Sequence, residues 1–404
     1  VTKRLLILTL AALGVFGAAE LALRVFFPAD AGPMYALDPE LLHRLVPGAQ
    51  KVFEHHPAND GRRIHVHVNS SGFRGEELSE SEDQLRVVVF GDSFVMAEFT
   101  ERQDTFSEKL ESALEARSQT RVEVVNAGVA AYGPDQSLRR MEIELSRLMP
   151  NLVVFCLLAD NDYGDLLRNK MFALEADGEL RPLAFKISGE LQERFSGGLS
   201  SSAVVRLIRR ARSSRRAQGV VPPVDRAERD RIAIETIESF APICAEEYAS
   251  AVLHKDLTVR ALFSDHYDVD LATEPESEAA RYKAALMGAV IRRVCSVAAG
   301  HPVPILFIVI PSATDLCDSS RGLLVSRKAH PRYDPRRLSQ IMERQVAESG
   351  APCISLFEHF TEANPGSFYF LPPENHWNEA GQALAAQVAA DAVRELDLLP
   401  DIEK

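Results

Sequence analysis

Four residues carry types that chemistry uses. Ser93 stands in RVVVFGDSFVMAE at 86–98, where an apolar run breaks into Gly-Asp-Ser-Phe. Gly128 stands in NAGVAAYG, Asn161 in ADND and His376 in ENHWNEAG. Acyl transfer needs a nucleophile, a base for its proton and donors for the developing oxyanion. On that reading Ser93 attacks and His376 takes the proton. The backbone N–H groups of Ser93 and Gly128, with the Asn161 side-chain amide, hold the oxyanion. A glycine at 128 lets backbone approach the substrate with no Cβ in the way. Taken singly, Ser93 is a good helix cap and Asn161 a good turn residue. The set of four, in chain order, favours the chemical reading.

These residues need elements to bring them together. Apolar runs at 87–90, 122–128, 151–162, 303–312 and 353–357 predict strands, and patterns at 104–118, 134–149, 334–350 and 378–396 predict helices. Alternating strands and helices imply a parallel sheet covered on both faces. Ser93, Gly128 and Asn161 then fall at carboxyl ends of strands, and His376 falls just before the last helix. Ligands in such sheets sit at that edge. Asn378 predicts the cap of the last helix, and Gly381 close packing beside it. Trp377, the one tryptophan, either braces the histidine loop or touches substrate. Asp92 reads as a structural acid at its turn. Residues 165–295 interrupt the pattern and predict a helical insertion. They include an arginine cluster at 206–216, which reads as a solvated face or a contact for anionic groups.

With those residues in place, the chain resembles the SGNH or GDSL-type serine hydrolases. Their four sequence blocks match GDS at 91–93, Gly128 in NAG, Asn161 in ADND and His376 in NHWN. Ala159 replaces the usual glycine of the third block, and Pro373 replaces an aspartate three residues before the histidine. The Glu374-x-His376-Trp377 order is similar to the Asp-x-His-Trp of the alginate O-acetyltransferases. The resemblance implies that Glu374 orients the imidazole. NSSGFRG at 69–75 is similar to a segment of membrane-anchored bacterial members. The implied fold is α/β, a doubly wound five-stranded parallel sheet of flavodoxin-like order.

The remaining composition sets the context. Of 404 residues, 45 are Lys or Arg and 58 are Asp or Glu, a formal charge of -13. No basic stripe extends along the chain, so nucleic acid is not expected as a partner. Lys3 and Arg4 precede LLILTLAALGVFGAA, which places the N-terminus in the cytoplasm and exports the rest. Residues 1–27 read as a single membrane anchor, or as a signal peptide that is cleaved to release the protein. Residues 28–85 read as a linker and extension, and 86–400 as the catalytic domain. Cys156 reads as a buried thiol; Cys244, Cys295, Cys317 and Cys353 leave disulfide pairing open. No metal or organic cofactor is expected. A metal at Asp160 and Asp162 lacks a histidine, and His65 with His67 lack a third ligand. The expected function is a serine esterase acting on an acyl ester, such as an acetyl ester, of a cell-envelope carbohydrate or lipid. One alternative is an O-acyltransferase of an exported polysaccharide, working with polysaccharide-assembly proteins. Another is a catalytically silent glycan-binding or scaffold module.

Overall fold

The computed structural model describes residues 2–26, 33–53, 61–81, 83–195, 204, 238–317, 325, 327–370 and 375–400. Helix α1, Thr2–Phe26, opens the chain, and its Lys3–Leu23 stretch is long and apolar enough to cross a membrane (mean hydropathy 2.1). The arginine cluster at 206–216 and Glu374 lie outside the described residues.

Five parallel strands form the central sheet: β1 (Gln84–Phe90), β2 (Arg121–Asn126), β3 (Leu152–Ala159), β4 (Ile305–Pro311) and β5 (Cys353–Ser355). Their spatial order is β5-β4-β3-β1-β2, the flavodoxin-like order expected from sequence. Register is explicit: Val87 pairs with Leu152, Ile310 with Leu158, and Val309 with Ser355.

Period-two alternation assigns each strand side chain to one of two cores. Val88, Phe90, Val153, Phe155, Leu157, Phe307 and Val309 face one layer. That layer holds α4 (Pro134–Leu148), α5 (Asp162–Asn169), α6 (Glu278–Gly300) and α7 (Arg337–Ser349). Val87, Val89, Val154, Cys156, Leu158, Leu306 and Ile308 face the other. There the short α2 (Ser93–Met96), α3 (Phe106–Glu115) and α8 (Glu379–Glu395) pack. Burying each large aliphatic or aromatic chain contributes about 1.5–3 kcal/mol. Because β3 is buried along its whole length, it reads as an unbroken apolar run rather than an alternating one. Helix α8 turns Ala385, Ala386, Ala389 and Ala390 inward, and their small size lets it lie close against α3.

One feature differs from the sequence reading and one adds to it. Within 165–295, α6 buries Leu286, Met287, Val290, Ile291 and Val294 against the sheet layer. It is therefore a core helix leading into β4, and the segment outside the sheet's layers ends before it. The extension before β1 carries two antiparallel pairs. Tyr35–Asp38 pairs with Leu42–Leu45, and Gln50–Phe53 with Ile64–His67, both antiparallel. Met34, Leu45, Ile64, Val66 and Val68 pack on Met96, Val129, Ala130 and Tyr132. The extension is thus seated on the loops that follow β1 and β2.

Candidate active site

The turn after β1 is set by three residues. Gly91 has no room for a side chain: a Cβ there would stand 2.5 Å from the Val95 side chain and 3.1 Å from Cys156. Asp92 caps α2, its carboxylate accepting the Phe94 N–H at 2.9 Å. Serine was a cap candidate here, but aspartate takes that role. Ser93 is left as the first residue of the helix, where its N–H has no intrahelical acceptor. Its Oγ lies 2.7 Å from His376 Nε2. A serine and a histidine 283 positions apart in sequence are therefore within hydrogen-bond reach.

His376 arrives on a pinched loop. Phe370 N–H donates to His376 O at 2.9 Å, Tyr369 bridges Trp377, and Asn378 N–H donates to Phe368 O at 2.8 Å. Trp377 is wholly buried; its indole N–H donates to Phe94 O at 2.8 Å and its ring stacks on Phe106. The tryptophan therefore fastens the histidine loop to the helix that begins with Ser93, and it is not a substrate contact. Asn378 caps α8 through the Ala380 and Gly381 N–H groups at 2.9 and 3.1 Å. A Cβ on Gly381 would stand 2.3 Å from Phe368 O, so only glycine lets the loop and helix meet.

Gly128 lies against the same turn. Its absent Cβ would stand 2.5 Å from Met96 N and 2.7 Å from Val95 Cβ. The close passage of two backbones by itself requires glycine there. Its N–H donates to Asn126 Oδ1 at 3.0 Å, while Asn126 Nδ2 donates to Val95 O at 2.8 Å. As an oxyanion donor, the Gly128 N–H would have to share or exchange the Asn126 bond.

Asn161 follows β3 and is buried. Its Nδ2 donates to Asp165 Oδ2 at 2.9 Å. One of the two amide hydrogens is thereby fixed, which leaves the second for a ligand. Asp162 accepts the Leu158 N–H at 2.7 Å, and Asp160 accepts the Ser312 hydroxyl. Each of these acids thus anchors backbone or side chain near the turn through one carboxylate oxygen. Burial pushes Asp92 up to about 7, opposed by the His376 charge. Asp162 is raised well above the usual carboxylate range by burial and by Asp92. Because β1 and β3 are neighbours in the sheet, with Phe90 paired to Phe155, the turns bearing Ser93 and Asn161 leave the same edge.

Several supporting residues carry no sequence signal beyond their type. Arg74, from GFRG, is buried and donates to the carbonyls of Met96, Ala97 and Thr100. Burial lowers its pKa to about 10, so it stays charged at neutral pH and gathers the carbonyl end of α2. His43, wholly buried, meets Ala130 O at 2.8 Å through Nε2. Burial lowers it to about 4 against that bond, so it is neutral and donates to the loop after Gly128. Tyr132 returns a bond to His43 O at 2.8 Å. The NSSGFRG motif hinted at Arg74; nothing marked His43.

Other groups are accounted for elsewhere. All five cysteines are free thiols. Cys244, Asp268 and Asp270 place ligand-type atoms within 4.8 Å of one another. The Lys283 ammonium already neutralises that cluster, 2.7 Å from Asp268 and 2.5 Å from Asp270. His67 Nδ1 meets Gly75 O at 3.0 Å, and His65 is exposed. Two clefts of about 300 and 510 Å³ are lined around Glu111 and Glu123 and around Met171 and Phe172; neither is lined by Ser93 or His376.

No family model matches the chain, and no curated protein matches it. Among solved structures, an acetyl xylan esterase, AlAXEase, is similar at 12% identity, over 76% of this chain and 100% of that one, with a TM-score of 0.38. A lipase/acylhydrolase from Enterococcus faecalis is similar at 10% identity, over 77% and 95%, with a TM-score of 0.35. The psychrotrophic esterase EstA from Pseudoalteromonas sp. is similar at 10% identity, over 77% and 97%, with a TM-score of 0.36. At these levels the likeness carries no weight for chemistry, which rests on the arrangement of Ser93 and His376 within this fold.

Proposed function

We propose that the chain is a serine ester hydrolase of the SGNH type. The observation that carries this is the 2.7 Å approach of His376 Nε2 to Ser93 Oγ at the carboxyl end of a central strand. Ser93 Oγ attacks the acyl carbon and its proton passes to His376. The carbonyl oxygen becomes an oxyanion held by the Ser93 N–H, the Asn161 amide and, after exchange of its internal bond, the Gly128 N–H. Collapse expels the alcohol, which takes the proton from His376. Water then attacks the acyl-enzyme with His376 as base, and the acid leaves as Ser93 is restored. Glu374, two residues before the base, is the proposed orienting acid. The substrate is an acyl ester, such as an acetyl ester, of an envelope carbohydrate or lipid, met outside the membrane in which α1 is anchored. The basic start of α1, before its apolar run, supports that orientation.

The test is fluorophosphonate labelling of the full chain in detergent. Wild type should label, and Ser93→Ala and His376→Ala should each lower labelling and ester cleavage by about 10⁴-fold or more. A folded wild type that never labels overturns the proposal and leaves the silent binding module. Acetate release from aryl esters, with and without added oligosaccharide, separates hydrolysis from transfer: acetyl groups gained by the oligosaccharide would make the protein an O-acyltransferase.

A further inference from the structure

The turn after β3 is held from outside its own strand and helix. Asp165 receives the Asn161 amide on Oδ2, and on Oδ1 it receives Arg168 Nε at 3.0 Å together with Arg168 Nη2. Arg168 Nη2 also donates to Asn161 O at 3.2 Å. One guanidinium thus grips both the backbone of Asn161 and the carboxylate that orients its side chain. Its other nitrogen, Nη1, reaches Glu247 Oε1 at 3.2 Å and His266 Nε2 at 2.8 Å. Glu247 and His266 both lie in the long connection between α5 and α6, and they meet each other at 3.0 Å. Two residues on, Asp268 N–H donates to Asp160 O at 2.8 Å, and Asp268 Oδ2 accepts the Gly164 N–H at 3.0 Å. Gly164 permits this approach, since a Cβ there would stand 2.7 Å from Arg168 Nη1 and 2.9 Å from Asp268 Oδ1. The segment around 247–268 is therefore bonded on both sides of Asn161.

We propose that Arg168 is a positioning residue for the reaction, and that Glu247, supplied by the long connection, sets it. Arg168 fixes Asp165, Asp165 fixes one hydrogen of the Asn161 amide, and the second hydrogen is thereby aimed at the oxyanion. The connection completes the donor side of the site rather than decorating the fold. This inference rests on the esterase reading above for its catalytic part, but the brace itself is a physical claim that does not depend on activity.

The experiment therefore has two arms, both on the full chain in detergent. Hydrogen exchange is measured by mass spectrometry for peptides covering 158–169 and, as reference, 305–311. Glu247→Gln, a near-isosteric change, should quicken exchange in 158–169 by about tenfold with no change in 305–311. Unchanged exchange there overturns the brace, whether or not the protein is an esterase. In the second arm, kcat and KM are measured for an aryl acetate. Arg168→Lys should lower kcat by about a hundredfold, the scale of losing one oxyanion donor, with KM within about twofold. Glu247→Gln should lower kcat about tenfold. Arg181→Gln, which removes an exposed pair with Glu175 in the same connection, should change neither. Faster exchange with unchanged kcat would overturn the positioning role; wild type without turnover would count against the esterase reading alone.

Discussion

The turns after β1 and β3 meet at one edge of one sheet, yet they are held by different forces. The Ser93 turn is held by closeness: Gly91 and Gly128 remove side chains so that backbones touch, and Trp377 seals it from above. The buried Arg74 bonds carbonyls of the segment that follows, and the buried Arg140 bonds Ala127 O beside Gly128. The Asn161 turn is held by charge. Two largely buried sets of ion pairs flank it, one of Asp165, Arg168 and Glu247 and the other joining Asp268 to Lys283 of α6. Close packing is insensitive to protonation but intolerant of volume. Buried ion pairs are the reverse: each member depends on its partner, and losing one strands another in low dielectric. The nucleophile is thus set by shape, and the amide donor by electrostatics.

Removing the cation of the second set tests the contrast most severely. Lys283→Met leaves Asp268 and Asp270 buried without their ammonium, and should cost about 3–5 kcal/mol in chemical denaturation. The loss should appear as faster hydrogen exchange around 158–169, with 89–99 nearly unchanged; equal loss in both segments would erase the distinction. Trp377→Phe addresses the other turn. It removes the donor to Phe94 O and part of the stack on Phe106, and should cost about 1–3 kcal/mol. Here kcat should fall about tenfold, and exchange should rise around 89–99 rather than 158–169. The smallest effect concerns pH. Burial raises Asp92 from 3.8 to about 7, so the folded state binds a proton that the unfolded state has released. Stability contributed by this group is full below about pH 4 and is lost as pH rises through about 7. Asp92→Asn keeps the cap and should flatten that decline by about 1–2 kcal/mol, less than the full shift because Asp162 shares the charge. Parallel pH profiles for wild type and variant would show that the Asp92 charge is solvated after all.

The contrast also explains what sequence could reveal. Shape constraints write themselves locally. Gly91, Asp92 and Ser93 are consecutive, Gly381 follows Asn378 by three, and strand periodicity fixes which residues enter each core. The sheet order and the approach of Ser93 to His376 were legible for that reason. Charge constraints are written across the chain. Arg168, Glu247, His266, Asp268 and Lys283 span more than a hundred positions, and each singly resembles a solvated residue. The same distance hid His43, whose bond to Ala130 crosses 87 positions, and hid α6 inside what read as an insertion. Gly128 was recognised, but the crowding by Val95 and Met96 that also requires it was not.

The loop that delivers His376 has one further consequence. Its two ends are joined at Phe370 with His376, at Tyr369 with Trp377 and at Phe368 with Asn378. The base is therefore referenced to the backbone of Phe368–Phe370 and to the buried Trp377 beside it. Because Trp377 also bonds Phe94 O, next to Ser93, nucleophile and base ride on one clamp, and any shift of that clamp carries both together.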